Sequence, residues 1–514
     1  MDKNILIGGD FGTNGLKLLA FDTAADHPVA DSYRSYPVHV PGSNLAEHNP
    51  RDWWDAFVLG VAELRAGGVD LHRVAAIALS CHVPTLTPMD ADGTLLGNGI
   101  IWADYRSAPQ CRRLQAAHAQ ALYAVNPAQL RDHQMLCKML WLKEERPDLY
   151  ARTACFLQCS GYIAYRLTGR FSIDHGSAAL FHTYNVYTAR WDEEICRLVG
   201  IAPEKLPPIY HSDQVVGTIL PEAAAETGLD PDTLVVAGAG DTAAAALGVG
   251  CTDEGDICFS AGTASSMVTV YDCSKHPFRT DPRLLTIGHT LSGKMLNVAV
   301  MACTGAALKW ARNALGEPED ALAAKQGASV FDLLCSQAAQ ADPGAGGLLF
   351  FPYILGELSP YFNPDARGVF LGISETTRKS HLLRAILEGT CYGFRQNLTI
   401  LEELGAFSRR GEIIATGGPA SSPLWMQILA DVSGLQVSVL ENALGAPFGD
   451  IILAGVAAGI YPDQAQAARA HIHYTRTFRP DDRNRDVYDR MFRAYTQIAP
   501  RLQDDFSLLA QSKA

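Results

Sequence analysis

The sequence predicts an α/β protein of two large domains, each carrying a strand–turn–strand unit with a polar, glycine-containing tip. Three observations lead there. A chain of 514 residues is too long for one ordinary hydrophobic core. Asn4 to Asp22 reads as two apolar runs, Ile5-Leu6-Ile7-Gly8-Gly9 and Leu18-Leu19-Ala20-Phe21-Asp22, joined by Asp10-Phe11-Gly12-Thr13-Asn14-Gly15-Leu16-Lys17. Asp256-Ile257-Cys258-Phe259-Ser260 repeats that logic. It runs into Ala261-Gly262-Thr263-Ala264-Ser265-Ser266 before Met267-Val268-Thr269-Val270 resumes a strand.

Glycine in the first turn permits positive φ and lets a ligand approach the backbone, whose N–H groups can cup an anion. Thr13 and Lys17 add donors, and Asp10 can hold a cation through water. The combination suits a phosphate carrying magnesium. It is not a P-loop, which ends in Gly-Lys-Ser/Thr. A plain hairpin using Gly and Asn for geometry alone is the competing reading.

Bulk properties remove several classes. An apolar fraction of 48% is that of a folded globular chain, and a formal net charge of −13 argues against a nonspecific nucleic-acid binder. The 12 cysteines are scattered without Cys-x-x-Cys pairs, which argues against zinc ribbons and iron–sulfur sites and fits a reducing cytoplasm. The short apolar run after Met1-Asp2-Lys3-Asn4 meets Asp10 at once, unlike a signal peptide. No stretch of ~18 uncharged apolar residues predicts a membrane span.

In chain order, Val29 to Val40 reads as a strand region and Glu47 to Trp54 starts a helix. Pro50 lies in its first turn, and Trp54, Phe57, Val58 and Val61 follow at helical spacing. Leu71 to Ser80 reads as an approach turn and an inner strand, and Thr85 to Met89 opens a second hairpin. Ile100-Ile101-Trp102-Ala103-Asp104-Tyr105-Arg106 sets an indole, a carboxylate and a guanidinium together, a mixture that suits a sugar. A packed Trp beside a surface ion pair explains it equally well.

Gln134 to Glu145 is a helix on which Lys138, among apolar neighbours, reads as a snorkelling side chain. A further helix is expected over Cys155 to Leu167, ended by Gly169. An apolar run enters Gly238-Ala239-Gly240-Asp241 and an alanine-rich helix. Asp241 there is either a helix cap or a general base. His381 to Ile400 is a long helix with a core face of Leu383, Ile386, Leu387, Cys391 and Phe394, and Glu388 and Arg395 on another face. Glu412 to Ser422 is strand, glycine pair, then helix. Asp481 to Met491 begins a C-terminal helix with Val487, Phe492 and Ala494 facing inward.

These pieces, in this order, resemble the FGGY carbohydrate kinases over roughly Ile5 to Gly459. Asp10 to Thr13 with Lys17 is similar to that family's first phosphate motif, and Ser260 to Ala264 to its second. Gln134 to Glu145, with Lys138 and Trp141, resembles the first signature. Gly368 to Ile373 with His381 to Glu388 resembles the second. Gly238 to Asp241 resembles the segment with the catalytic Asp, and Gly417 to Ala420, with Trp425 and Gln427, the adenosine segment.

The resemblance implies a two-lobe actin-like ATPase (ribonuclease H-like) fold, with duplicated mixed-sheet domains and an interlobe cleft. It places the lobes at 1–245 and 246–514. It implies ATP and Mg2+, with Asp241 as general base and Asp10 and Asp241 at the metal. Thr13, Lys17, Gly262, Thr263, Gly417 and Gly418 would border the nucleotide. His82, Trp102, Asp104, His133 and Asp241 would meet the acceptor. The implied partner is a small-molecule sugar or polyol in the cytoplasm, without nucleic acid or membrane, and a homodimer stays open.

D-xylulose ranks first as substrate, because Trp102-x-Asp104-x-Arg106 resembles a xylulokinase stretch. Another ketopentose, a pentitol, a tetritol or an aldonate follows. Ser80-Cys81-His82-Val83-Pro84-Thr85 departs from the Ser-Gly-Gln-Met-His-Gly of many xylulokinases, and the glycerol-kinase Gln-Arg-Glu is absent. An actin-like or Hsp70-like ATPase acting on a protein partner is the other class, and a non-catalytic sugar sensor a third.

Overall fold

The computed structural model describes residues 3–275, 279–405, 411–441 and 444–512. Two seven-stranded mixed sheets form its frame. The first runs Val215–Thr218, Leu234–Val236, Val74–Cys81, Ile5–Gly12, Gly15–Asp22, His27–Ser35, and the short Ala239–Gly240 also pairs with Val74–Cys81. Ile5–Gly12 is antiparallel to Gly15–Asp22 and parallel to Val74–Cys81. It is covered on both faces, which is why its sequence is an unbroken apolar run rather than an alternating one.

The second sheet runs Leu285–Gly288, Lys294–Met301, Ser265–Asp272, Ile257–Ala261, Glu412–Thr416, Gln436–Leu440, Tyr474–Phe478. Ile257–Ala261 is antiparallel to Ser265–Asp272 and parallel to Glu412–Thr416, the same relation as in the first sheet. The two hairpins read from the sequence therefore occupy equivalent places in two duplicated sheets.

The Pro50–Ala66 helix starts where Asn49 accepts the Arg51 N–H, and it buries Trp53, Trp54, Phe57, Val61 and Leu64 against the first sheet and its neighbours. The helix expected over Cys155 to Leu167 is two elements. Cys155–Leu157 is a strand paired with Thr87–Met89, and the helix is Cys159–Thr168, closed by Gly169 in the left-handed region. The open edge of Thr87–Met89 overrides the local helical pattern.

The Lys379–Glu403 helix has the expected core face, but Glu388 does not line a solvent face. It is fully buried and accepts from Arg384, the Gly344 N–H and Tyr488. The C-terminal helix is Arg485–Ile498. Its buried anchors are Tyr488 and Tyr495, while Val487, Phe492 and Ala494 are only half-buried. No helix among the described residues is long and apolar enough to cross a membrane.

One helix ties the two halves together. Ala446–Ala457 follows the last parallel strand of the second sheet, yet it packs on Ile5–Gly12, Val74–Cys81 and Asp241–Gly248. The approach is possible only without side chains: a Cβ on Gly449 would lie 1.9 Å from the Ala244 carbonyl oxygen. From this helix the buried Asp450 accepts the Ser80 N–H and hydroxyl at 3.1 and 2.7 Å. A shared core of Leu6, Ala76, Ala244, Val268, Ile414 and Ile452 lies between the sheets.

Candidate active site

Asp10 lies near the end of the first strand, between buried Gly9 and Phe11 and directly across from Lys17. Asp241 is the first residue of the Asp241–Gly248 helix, with Gly240 at the N-cap. Both carboxylates line a cavity of about 250 Å³ with Thr242, Cys258, Ser260 and Ser266. Burial, then the charge of Asp241, raises the Asp10 pKa, with Lys17 opposing. Burial raises that of Asp241. Asp10 Oδ1 is buried and has no hydrogen-bond partner among the described residues.

Among the described residues, Asp241 Oδ1 accepts only the N–H and hydroxyl of its neighbour Thr242, at 2.6 and 3.2 Å. The capping reading of Asp241 is thus limited to one adjacent residue, and its carboxylate still faces a cavity.

A second cavity, of about 450 Å³, is lined by Gly262, Thr263, Gly305, Lys309, Gly418 and Trp425 among others. The second hairpin tip is stitched to the start of the Gly305–Leu315 helix. Thr304 and Gly305 N–H groups reach the carbonyls of Thr263 and Gly262 at 3.0 and 2.9 Å. Gly417 stands behind Gly418 with φ +93, and a Cβ there would fall 2.0 Å from the Ala261 carbonyl oxygen. Trp425 forms one wall and donates to Thr390, whereas Gln427 turns away to Asp431 and the Arg479 carbonyl. Lys309, Phe331 and Asp332 also line this cavity. They fall in helices whose sequence signals packing and solubility only, so nothing singled them out.

A third cavity, of about 540 Å³, is lined by Val83, Trp102, Tyr105, Arg131, His133 and Phe362 among others. Trp102 is 40% exposed, and its indole donates to the Thr13 hydroxyl at 2.9 Å. His133 stands edge-on to Tyr105. Burial and the charges of Lys138 and Arg131 push the His133 pKa down to about 3, so its imidazole is neutral. Val83 also packs on Gly240, where a Cβ would meet it at 3.2 Å. Asp241 thus begins its helix beside this cavity, and the Ser260-to-Thr263 tip borders both the carboxylate cavity and the 450 Å³ one.

Two expected acceptor contacts lie elsewhere. Asp104 is fully buried, accepting the Ala46 N–H at 2.7 Å and Arg106 side-chain donors at 2.7 and 2.8 Å. Arg106 continues to Glu47 and stacks over Trp141. Of the Trp102–Arg106 stretch, the indole and Tyr105 reach the cavity, and the ion pair braces the loop from behind. His82 is fully buried; its Nδ1 bonds the Phe11 carbonyl at 2.7 Å. It fastens the loop to the first strand, and Val83 takes the cavity position.

Lys138 does not snorkel. Its ammonium is wholly buried, with the carbonyls of Pro84, Ile100 and Ile101 at 3.1, 3.3 and 2.8 Å. Burial lowers its pKa to about 7. It holds the Val83–Pro84 loop against the strand end that carries Trp102. The only signal of this in the sequence was a lysine amid continuous apolar residues.

Residues 5–248 match the N-terminal domain, and residues 258–458 the C-terminal domain, of the FGGY family of carbohydrate kinases. The chain is 28% identical over 500 residues to a xylulose kinase of Bacillus subtilis, covering 97% of both. It is 28% identical over 514 residues to a gluconokinase of the same organism, covering 98% of this chain and 97% of that one. The crystal structure of xylulose kinase from Rhodospirillum rubrum superposes with a TM-score of 0.87 at 28% identity, over 98% of this chain and 100% of that one. With both domains matched and the duplicated sheets in place, the chain belongs to the FGGY family of carbohydrate kinases, whose activity is ATP-dependent phosphorylation of a carbohydrate or polyol.

Proposed function

We propose that the chain transfers the γ-phosphoryl group of ATP to a hydroxyl of a small open-chain sugar, polyol or sugar acid, with Asp241 as general base. One observation carries this reading. Asp241 starts its helix beside the 540 Å³ cavity through Gly240 and Val83, and it shares a cavity with the Ser260 end of the second phosphate tip. The acceptor hydroxyl then lies between a carboxylate that takes its proton and the phosphate to be transferred. Positioning supplies most of the rate.

Gly262, Thr263 and Gly418 border the nucleotide, with Gly417 shaping the turn. Thr13 stands at the other hairpin tip and Lys17 beside Asp10. The orphaned Asp10 oxygen and the two mutually repelling carboxylates fit a divalent cation, which would relieve both penalties. No group of three or more metal-ligating side chains exists among the described residues. That matches Mg2+, which keeps waters and phosphate oxygens rather than an all-protein cage. Bound Mg2+ supplies charge neutralisation on the phosphate oxygens.

Trp102, Tyr105 and the neutral His133 give the acceptor an apolar ring face and hydroxyl partners. The similarity to xylulose kinases supports a ketopentose such as D-xylulose, and that to a gluconokinase supports an aldonate. The test is an ATP-dependent phosphorylation screen over ketopentoses, pentitols, tetritols, hexoses and aldonates, with product identification. ADP release that depends on one of these compounds, with its phosphate ester recovered, is expected. ADP release triggered only by a protein partner would overturn the reading.

A further inference from the structure

We infer that the acceptor carries a carboxylate, held by Arg131 in the wall of the acceptor cavity; this rests on that cavity being the substrate site. Arg131 lines the 540 Å³ cavity. Its guanidinium stacks over Phe362 at 4.2 Å. Its Nη2 donates to the carbonyls of Pro282 and Leu284 at 3.2 and 3.5 Å. Among the described residues, its Nε and Nη1 have no acceptor, and no carboxylate lies within ion-pair distance of it. Asp132, its chain neighbour, is the one acidic residue lining the cavity.

A half-buried guanidinium loses hydration, and the two carbonyls return only part of it. Burial accordingly lowers the Arg131 pKa, with Asp132 opposing. The planar fork with two free edges suits a carboxylate, which it meets through two parallel N–H bonds. A neutral ketose or alditol leaves the charge unmatched.

A phosphate dianion fits less well, because the other cation nearby, Lys138, is wholly occupied by three carbonyls. The rest of the wall agrees with a polyol chain running on from that carboxylate. Gln129, the neutral His133 and Tyr105 offer hydroxyl partners, and Val83 with Val300 flanks the carbon chain. The substrate class is therefore an open-chain aldonate.

Steady-state kinetics with D-gluconate, D-xylonate, D-glucitol, D-fructose and D-xylulose test this on wild type, Arg131→Gln and Arg131→Lys. Wild type should turn over one of the two aldonates with the highest kcat/KM. Arg131→Gln should shrink the ratio of aldonate to neutral-acceptor kcat/KM by about 10- to 100-fold, mainly through KM, and Arg131→Lys should restore part of it. A neutral acceptor preferred by wild type would overturn the inference and leave the kinase reading standing. So would an Arg131→Gln defect shared equally by all acceptors. Turnover of no acceptor at all by folded, ATP-binding protein would overturn both.

Discussion

The indole Nε1 of Trp102 donates a hydrogen bond to the Thr13 hydroxyl at 2.9 Å. That bond joins the wall of the 540 Å³ cavity, the proposed acceptor site, to the tip of the first hairpin. Trp102→Phe keeps a ring and deletes the donor. Both the acceptor KM and the ATP KM should rise, each by roughly three- to ten-fold, as expected for one lost hydrogen bond. Two-substrate kinetics check this, and a change confined to the acceptor would show that the two sites are not joined there.

Asp241→Asn removes the proposed base while keeping the side chain's shape and its bond from Thr242. Phosphoryl transfer should fall by about 10²- to 10⁴-fold, with ATP affinity retained by calorimetry. Near-normal turnover would sink the assignment. Asp10→Asn should instead raise the Mg2+ concentration needed for half-maximal rate, which a metal titration reads directly.

Lys138→Met leaves the Pro84, Ile100 and Ile101 carbonyls without their shared donor. The Ile100 and Ile101 carbonyls keep the Leu86 and Asp104 N–H groups, so among the described residues the Pro84 carbonyl is the acceptor left unpaired, at a cost of about 1–3 kcal/mol before the loop relaxes. A lower Tm is expected, together with an acceptor KM raised well above any rise in the ATP KM, because Val83 lines the acceptor cavity directly whereas the first hairpin tip is reached through the Trp102–Thr13 bond. Equal rises in both constants would refute the positioning role.

Glu357 is buried, and its Oε1 accepts the N–H groups of Ala302 and Leu358 at 3.0 and 2.8 Å. Burial raises its pKa from 4.5 to about 7. The folded value lies above the unfolded one, so the stability from the neutral carboxyl is full below 4.5 and is lost as pH rises through about 7. Glu357→Gln imitates the neutral form at every pH. Thermal melts should show the variant gaining on wild type from pH 5 to 8, by at most on the order of 3 kcal/mol. Parallel curves would refute the shift.

Ser80 supplies both hydrogen-bond donors to Asp450 Oδ2 across the two halves. Burial raises the Asp450 pKa well above the carboxylate range, with the Ser80 bonds opposing. Ser80→Ala deletes the hydroxyl donor and should lower stability by about 1–3 kcal/mol in a urea titration. An unchanged midpoint would mean that the helix is held by packing alone.

The frame was legible because its signals are local. Continuous apolar runs ending in Gly-containing turns specify the two hairpins whatever surrounds them, and the alanine-rich run after Asp241 fits a closely packed helix or a ligand-facing surface. The glycine pair at Gly417 and Gly418 likewise announces a turn that a Cβ on Gly417 would block. Where two elements compete for one segment, as at Cys155–Leu157, local pattern pointed to helix and an available strand edge decided otherwise.

Side-chain direction was the part that sequence left open. The residues around Trp102, Asp104 and Arg106 were correctly grouped, yet only the fold turns the indole outward to the cavity and the ion pair inward. Lys138 looked like a surface lysine because its three acceptors are backbone carbonyls of distant segments, which carry no residue identity. Arg131 drew no notice, since a guanidinium next to Asp132 reads as an ordinary charged loop. Its meaning comes from Pro282, Leu284 and Phe362, all more than a hundred positions away.

By itself, then, the sequence determined the duplicated α/β frame, the two glycine-containing hairpin tips and the candidate carboxylates Asp10 and Asp241, because backbone propensity and apolar patterning act over a few residues. Tertiary structure alone decided which polar groups are satisfied inside and which are left facing a cavity. That distinction depends on desolvation and on hydrogen-bond partners brought from remote segments, and it is what separates a ketose reading from a carboxylate-bearing acceptor.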